Sequence, residues 1–239
     1  MNMNFKEWKR GTKDGIPIAL GYIAVSFTFG IIAKQAGFNP FEAVFMSATN
    51  LTSAGQFAGL TLIAAAATLL EIAVTQLIIN SRYILMSFAL SQKIDPNTAI
   101  FHRMLMAYGI TDEIFGASMT TKGKLNPYYL YGLVSVAMPG WVLGTLLGVV
   151  SGNLLPPRMI SALSIALYGM LLAVIIPPAK GNKLLSGIIL VSMSASLLFT
   201  KLPVLQSISS GMKIILLTVI IAGLAAVLFP VREESAHEG

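Results

Sequence analysis

Residues 41–91 read FEAVFMSATNLTSAGQFAGLTLIAAAATLLEIAVTQLIINSRYILMSFALS. Between Ala43 and Gln92 the only charged residues are Glu71 and Arg82. An α-helix crosses a bilayer with about 20 mostly apolar residues. This run is far longer and contains no true loop. It reads as two tightly joined spans or two interrupted helices, with breaks expected at Thr52–Gln56 (TSAGQ) and near Asn80–Arg82. The fold class is therefore all-α, a polytopic helical membrane protein of about seven to eight spans with interrupted helices.

The composition agrees. The chain is 55% hydrophobic and 11% charged, with mean hydropathy +0.77. An ordinary soluble domain carries roughly a quarter charged residues. The net charge of +6 sits at the ends of apolar runs. That is the pattern of topology signals, not of a nucleic-acid surface. There is no cysteine, so disulfides and thiol chemistry are excluded. The two histidines, His102 and His237, form no H-E-x-x-H motif, and no Walker A stretch occurs. A serine hydrolase needs a base beside its serine, but Lys34 and Lys93 lie at span boundaries and His102 stands alone. An enzyme is a poor reading, and no cofactor or metal is expected.

Residues 1–15 are basic. Phe5 and Trp8 among Lys6, Lys9 and Arg10 suit a cytoplasmic amphipathic segment at the headgroup level. Residues 16–230 read as one transmembrane domain and 231–239 as a polar tail. Ile16–Ala33 is too long for the core of a cleaved signal and reads as a retained first span. Breaks follow at Lys34–Pro40, Gln92–Asn97, Thr120–Pro127, Asn153–Arg158, Pro177–Lys183 and Lys201–Lys213. Eight crossings from a cytoplasmic N-terminus leave Lys6, Lys9, Arg10, Lys13, Lys122, Lys124, Lys180, Lys183 and Arg232 inside. Lys34, Lys93, Arg158, Lys201 and Lys213 fall outside. The inside excess obeys the positive-inside rule; seven crossings would place the C-terminus outside. Residues 15–30 (GIPIALGYIAVSFTFG) and 139–152 (PGWVLGTLLGVVSG) both open a span with Gly and Pro. They could begin halves 16–118 and 128–230 of a duplicated inverted-repeat transporter fold. Close packing by small residues explains the same pattern.

The chemistry-bearing residues follow from the cost of polar groups at membrane depth. Ionisable residues there face a cavity or the bundle interior and pair with one another. On one continuous helix Glu71 and Arg82 would share a face about 16 Å apart, too far for an ion pair. Arg82 therefore needs another anion: Asp112, Glu113 or a bound carboxylate, whose two oxygens suit the guanidinium fork. Thr111-Asp112-Glu113 places two carboxylates about 100° apart on a helix. One can pair with Arg82 or Arg103 while the other takes an ammonium or a proton. Ser53, Gly55 and Gln56 interrupt an apolar run, as broken helices do where they expose backbone to a polar substrate. Each signal has a structural alternative: a snorkelling arginine, a cytoplasmic helix end, or a tight helix contact.

Taken in order, GIPIALGYIAVSFTFG, MSATNLTSAGQF, NSRY, TDEIFG and PGWVLGTLLG resemble the AzlC family of branched-chain amino acid permeases over roughly residues 15–180. The resemblance implies the large subunit of an exporter of Leu, Ile, Val and Met in the cytoplasmic membrane. It also implies a small, separately encoded AzlD-type membrane partner. The motif positions are Gly55, Gln56 and Phe57; Asn80, Arg82 and Tyr83; and Thr111, Asp112 and Glu113. Relatives commonly carry His after this arginine, so Tyr83 removes any proton relay through that position. On this reading Arg82 holds the substrate carboxylate, Asn80 and Gln56 add hydrogen bonds, and Asp112 or Glu113 takes the ammonium or a coupling proton. A non-transporting membrane scaffold, or a carrier of another small zwitterion or anion, stays open.

Overall fold

The computed structural model describes residues 3–152, 172, 176, 179–202, 208 and 210–229. The Asn153–Arg158 break, Pro177 and Pro178 with most of the apolar stretch before them, Pro203, Ser207, Ser209 and the C-terminal tail lie outside the described residues.

Two long helices form the frame. Helix α1 (Met3–Gln35) runs unbroken through Pro17, so residues 3–15 are its first turns and not a helix of their own. Helix α8 (Pro127–Ser151) starts with Pro127 behind an Asn126 cap, whose side chain accepts from the Tyr128 N–H at 3.0 Å. Proline suits that position because its missing N–H would have no intrahelical partner there. The two helices run parallel in close contact from Gly11 beside Gly132 to Gly30 beside Gly148. A Cβ on any of these four glycines would overlap backbone of the facing helix. Small residues at such seams let membrane helices approach closely. The two Gly/Pro-rich openings thus meet each other. Their parallel course differs from an inverted pair of halves starting at these helices, in which the counterparts would run antiparallel.

Between them lie two hairpins of helices too short to cross and one broken span. Helix α2 (Pro40–Thr49) begins with a reciprocal capping box, Asn39 Oδ1 to the Glu42 N–H and Glu42 Oε2 to the Asn39 N–H. Helix α3 is Ala54–Ala64. Their 10 and 11 residues reach only about 15–17 Å, half a bilayer core. Asn50 Oδ1 accepts from the Thr52 N–H and hydroxyl, and Ser53 takes φ +51°, which turns the chain back. Phe29, Ala33, Ala43, Leu60 and Val149 pack together, so α2 enters and α3 leaves near the C-terminal end of α1. The pair is a re-entrant hairpin.

Helix α4 (Leu69–Asn80) then descends beside α3, stops at Ser81, and continues as α5 (Arg82–Lys93). Ser81 Oγ donates back to the Ile78 carbonyl at 2.8 Å, the kind of local bond that bends helices. Helices α6 (Ile100–Tyr108) and α7 (Asp112–Met119) form a second short hairpin, entering from the N-terminal side. Lys93 fixes that end, donating to the carbonyls of Met119 (2.6 Å) and Thr121. The tips of the hairpins meet: Tyr108 OH donates to the Ala48 carbonyl at 2.5 Å, and Leu51 and Ile110 share one apolar cluster. Helices α9 (Lys183–Lys201) and α10 (Ser210–Leu228) pair with each other, and α10 packs on α3 and α4.

Interrupted helices are thus present at both expected breaks. The stretch 41–91 is one re-entrant hairpin plus one broken span, and the second hairpin occupies a stretch counted as a crossing. One placement changes in consequence. Lys93 lies on the N-terminal side with Lys122 and Lys124, not opposite them. The correction adds to the positive charge on that side.

Candidate functional site

The site forms where the two hairpin tips meet the break in α4–α5. Each hairpin's second helix starts at its tip, so the N-terminal ends of α3 and α7 converge on this place with that of α5. Thr111 caps α7, its Oγ1 accepting from the Ile114 N–H at 3.3 Å. This cap puts Asp112 and Glu113 in the first turn, where the helix dipole favours negative charge.

Arg82 Nη1 lies 2.5 Å from Asp112 Oδ2, and Arg82 Nη2 donates to the Thr52 carbonyl of the first tip at 3.4 Å. One guanidinium therefore ties the broken span to both hairpins. Both side chains are partly exposed. Tyr83 lies beside the guanidinium, 5.1 Å from ring centroid to Cζ. Arg103 pairs with no carboxylate of the site; it holds the carbonyls of Asp95, Pro96 and Thr98.

Glu113 is engaged elsewhere. Its Oε2 lies 2.6 Å from Tyr22 OH, which also lies 2.5 Å from Thr111 Oγ1. Tyr22 and Thr111 are buried, and the Tyr22 ring meets Trp141 edge-on at 5.3 Å. A small cavity of about 170 Å³ opens between the tips, lined among others by Asn50, Leu51, Thr52, Tyr83, Tyr108 and Ile110.

The expected residues divide into two groups. Ser53, Asn80, Arg82, Thr111, Asp112 and Glu113 gather at the tips. Three of their buried polar atoms lack a partner among the described residues: Ser53 Oγ, Asn80 Oδ1 and Arg82 Nε. Gly55 permits the closure, because a Cβ there would overlap Thr52 Oγ1 and lie 2.8 Å from Asn80 Oδ1. Gln56 belongs to a second, fully buried layer. Its Nε2 donates to Ser47 Oγ at 2.6 Å, its Oε1 accepts from Trp141 Nε1 at 2.8 Å, and Ser47 bonds Thr145 at 2.7 Å. In this structure Gln56 joins α2, α3 and α8 and reaches no open space. Sequence reasoning did not single out Tyr22, Trp141, Ser47, Thr145 or Gln76, whose Nε2 donates to the Gly55 carbonyl at 2.7 Å. Tyr22, Ser47, Trp141 and Thr145 lie inside the family-like stretches quoted above but carry no charge that would single them out there, and Gln76 lies outside those stretches. Among the described residues no three His, Asp or Glu side chains gather to hold a metal.

These features define a class: a polytopic helical membrane protein with a polar cluster where two re-entrant hairpins meet a broken span. The chain belongs to the AzlC family, whose AzlC protein signature matches residues 17–155 and so covers every site residue named above. It is similar to an uncharacterized membrane protein of Archaeoglobus fulgidus, 32% identical over 177 residues, covering 73% of this chain and 77% of that one. It is also similar to the inner membrane protein YgaZ of Escherichia coli K12, 32% identical over 147 residues and 60% of each chain. A Helicobacter pylori membrane protein, also uncharacterized, is 27% identical over 154 residues, 62% of this chain and 67% of that one. No solved structure matches the chain.

Proposed function

We propose that this AzlC-family protein is a secondary transporter that moves Leu, Ile, Val and Met out of the cell across the cytoplasmic membrane, together with a small AzlD-type membrane partner. The name of YgaZ supports the inner membrane as its location. The observation that carries the reading is the Arg82–Asp112 pair at the junction of both tips. In the empty site Asp112 satisfies the guanidinium. An incoming α-carboxylate competes for the same fork, which holds two oxygens in one plane. The substrate ammonium then meets the freed Asp112 and the unpartnered Asn80 Oδ1 and Ser53 Oγ. The cavity beside Leu51 and Ile110 receives the aliphatic side chain. Exchange of one ion pair for another lets the tips part without leaving a bare charge at membrane depth.

The test is efflux of labelled leucine, valine and methionine from preloaded cells, with and without the small partner. Arg82→Gln is expected to abolish efflux while the protein still accumulates in membranes. Normal efflux by a well-expressed Arg82→Gln variant would refute the carboxylate role. No efflux of these amino acids under any condition would refute the substrate assignment.

A further inference from the structure

Arg82, Asp112 and Glu113 stand together in and beside the first turn of α7, one positive charge against two negative. Arg82 neutralises Asp112 directly. Glu113 has no cationic partner within salt-bridge distance among the described residues; its oxygen lies on the Tyr22 hydroxyl. The titratable groups within electrostatic reach of it are Tyr22 on α1, Tyr83 on α5 and Asp112 on its own helix, and Arg82 stands beside them paired to Asp112. The nearby α8 contribution is the uncharged Trp141, which covers the Tyr22 ring. Uncompensated charge at membrane depth is costly, and one proton would bring the cluster to neutrality.

The hydrogen bonds show how such a proton would be sensed. Tyr22 has one hydroxyl hydrogen but two oxygens in reach, Thr111 Oγ1 and Glu113 Oε2. With Glu113 charged, Thr111 donates to Tyr22 and Tyr22 donates to the carboxylate. With Glu113 protonated, the acid donates to Tyr22, Tyr22 donates to Thr111 Oγ1, and the Thr111 hydrogen must find a new acceptor. Thr111 is the cap of α7 and part of the second tip. Loading a proton at Glu113 therefore reverses a buried hydrogen-bond chain that ends in the tip.

We infer that Glu113, positioned by Tyr22, is the residue that takes up and releases a proton, while Asp112 serves as the counter-ion of Arg82 until substrate displaces it. The proton site stands on this geometry; its use as the coupling ion rests on the transport reading above.

Infrared difference spectra of the purified protein, stepped from alkaline to acidic pH, test the site without transport. A protonated-carboxyl band should titrate, vanish in Glu113→Gln, and persist at a shifted frequency in Tyr22→Phe, which deletes only the bonded oxygen. A band that survives Glu113→Gln, or one whose frequency Tyr22→Phe leaves unchanged, overturns the inference. Because Tyr22→Phe reads frequency, it also decides the matter if Glu113→Gln fails to fold. In vesicles holding the protein with its small partner, Glu113→Gln should reduce transport driven by a pH gradient by a larger factor than it reduces leucine–leucine exchange. An equal reduction of both, with folding intact, overturns the coupling role. If the wild-type band behaves as expected and no leucine moves, the transport reading falls and the proton site stands.

Discussion

Gln56 and Arg82 show what a polar residue in an apolar run does and does not disclose. Arg82 had to find an anion, because a lone guanidinium at membrane depth is costly; Asp112 supplies it. Gln56 carries no such obligation to a charge. An amide can be satisfied by a hydroxyl and an indole, and its partners Ser47 and Trp141 lie 9 and 85 residues away in the chain. No spacing rule reaches Trp141. In this structure Gln56 is a buried link between helices, and Trp141→Phe examines its bond to the indole. That change leaves the Gln56 carbonyl oxygen buried without its donor. It is expected to cost about 1–3 kcal/mol, read as a lower Tm of the solubilised protein against wild type. An unchanged Tm would show that the bond contributes nothing to stability.

At the level of helices, the sequence disclosed where the chain breaks but not which way it goes afterwards. TSAGQ and NSR are both polar interruptions of an apolar run. At the first, the Asn50 side chain and the positive φ of Ser53 turn the chain back on itself. At the second, helix resumes after Ser81. The difference depends on what packs outside the break, which propensity does not encode. The α1–α8 seam was legible as small residues, though not as one parallel interface. Gly148→Ala would press a methyl group into the Phe27 backbone, and overpacking of this kind costs about 1–3 kcal/mol. Gly116→Ala in α7 meets nothing within 4 Å and is expected to be neutral or stabilising by about 1 kcal/mol or less. Thermal unfolding of the two variants separates the tight seam from the open position. Equal effects would contradict the packing described.

For the whole molecule, the decisive prediction concerns sidedness. The chain has no cysteine, so single cysteines can be added without background. Lys93→Cys and Lys122→Cys are expected to react with an impermeant maleimide from the same face of the membrane, and Lys34→Cys from the other. Labelling of positions 93 and 122 from opposite faces would replace the second hairpin by a full crossing. The hydropathy of residues 98–118 could not decide this, because two half-helices bury as much apolar surface as one span. Only their lengths, nine and eight residues, separate the two.

The meeting of the hairpins has an electrical consequence. Helices α3 and α7 approach from opposite sides with their N-terminal ends facing each other, so their partial positive charges oppose one another across the tips. Asp112 and Glu113 stand in the first turn of α7 and offset its end, whereas α3 carries no acidic residue in its first turn. The field at the junction is therefore lopsided: an anion arriving there is drawn towards the α3 end and away from the α7 end.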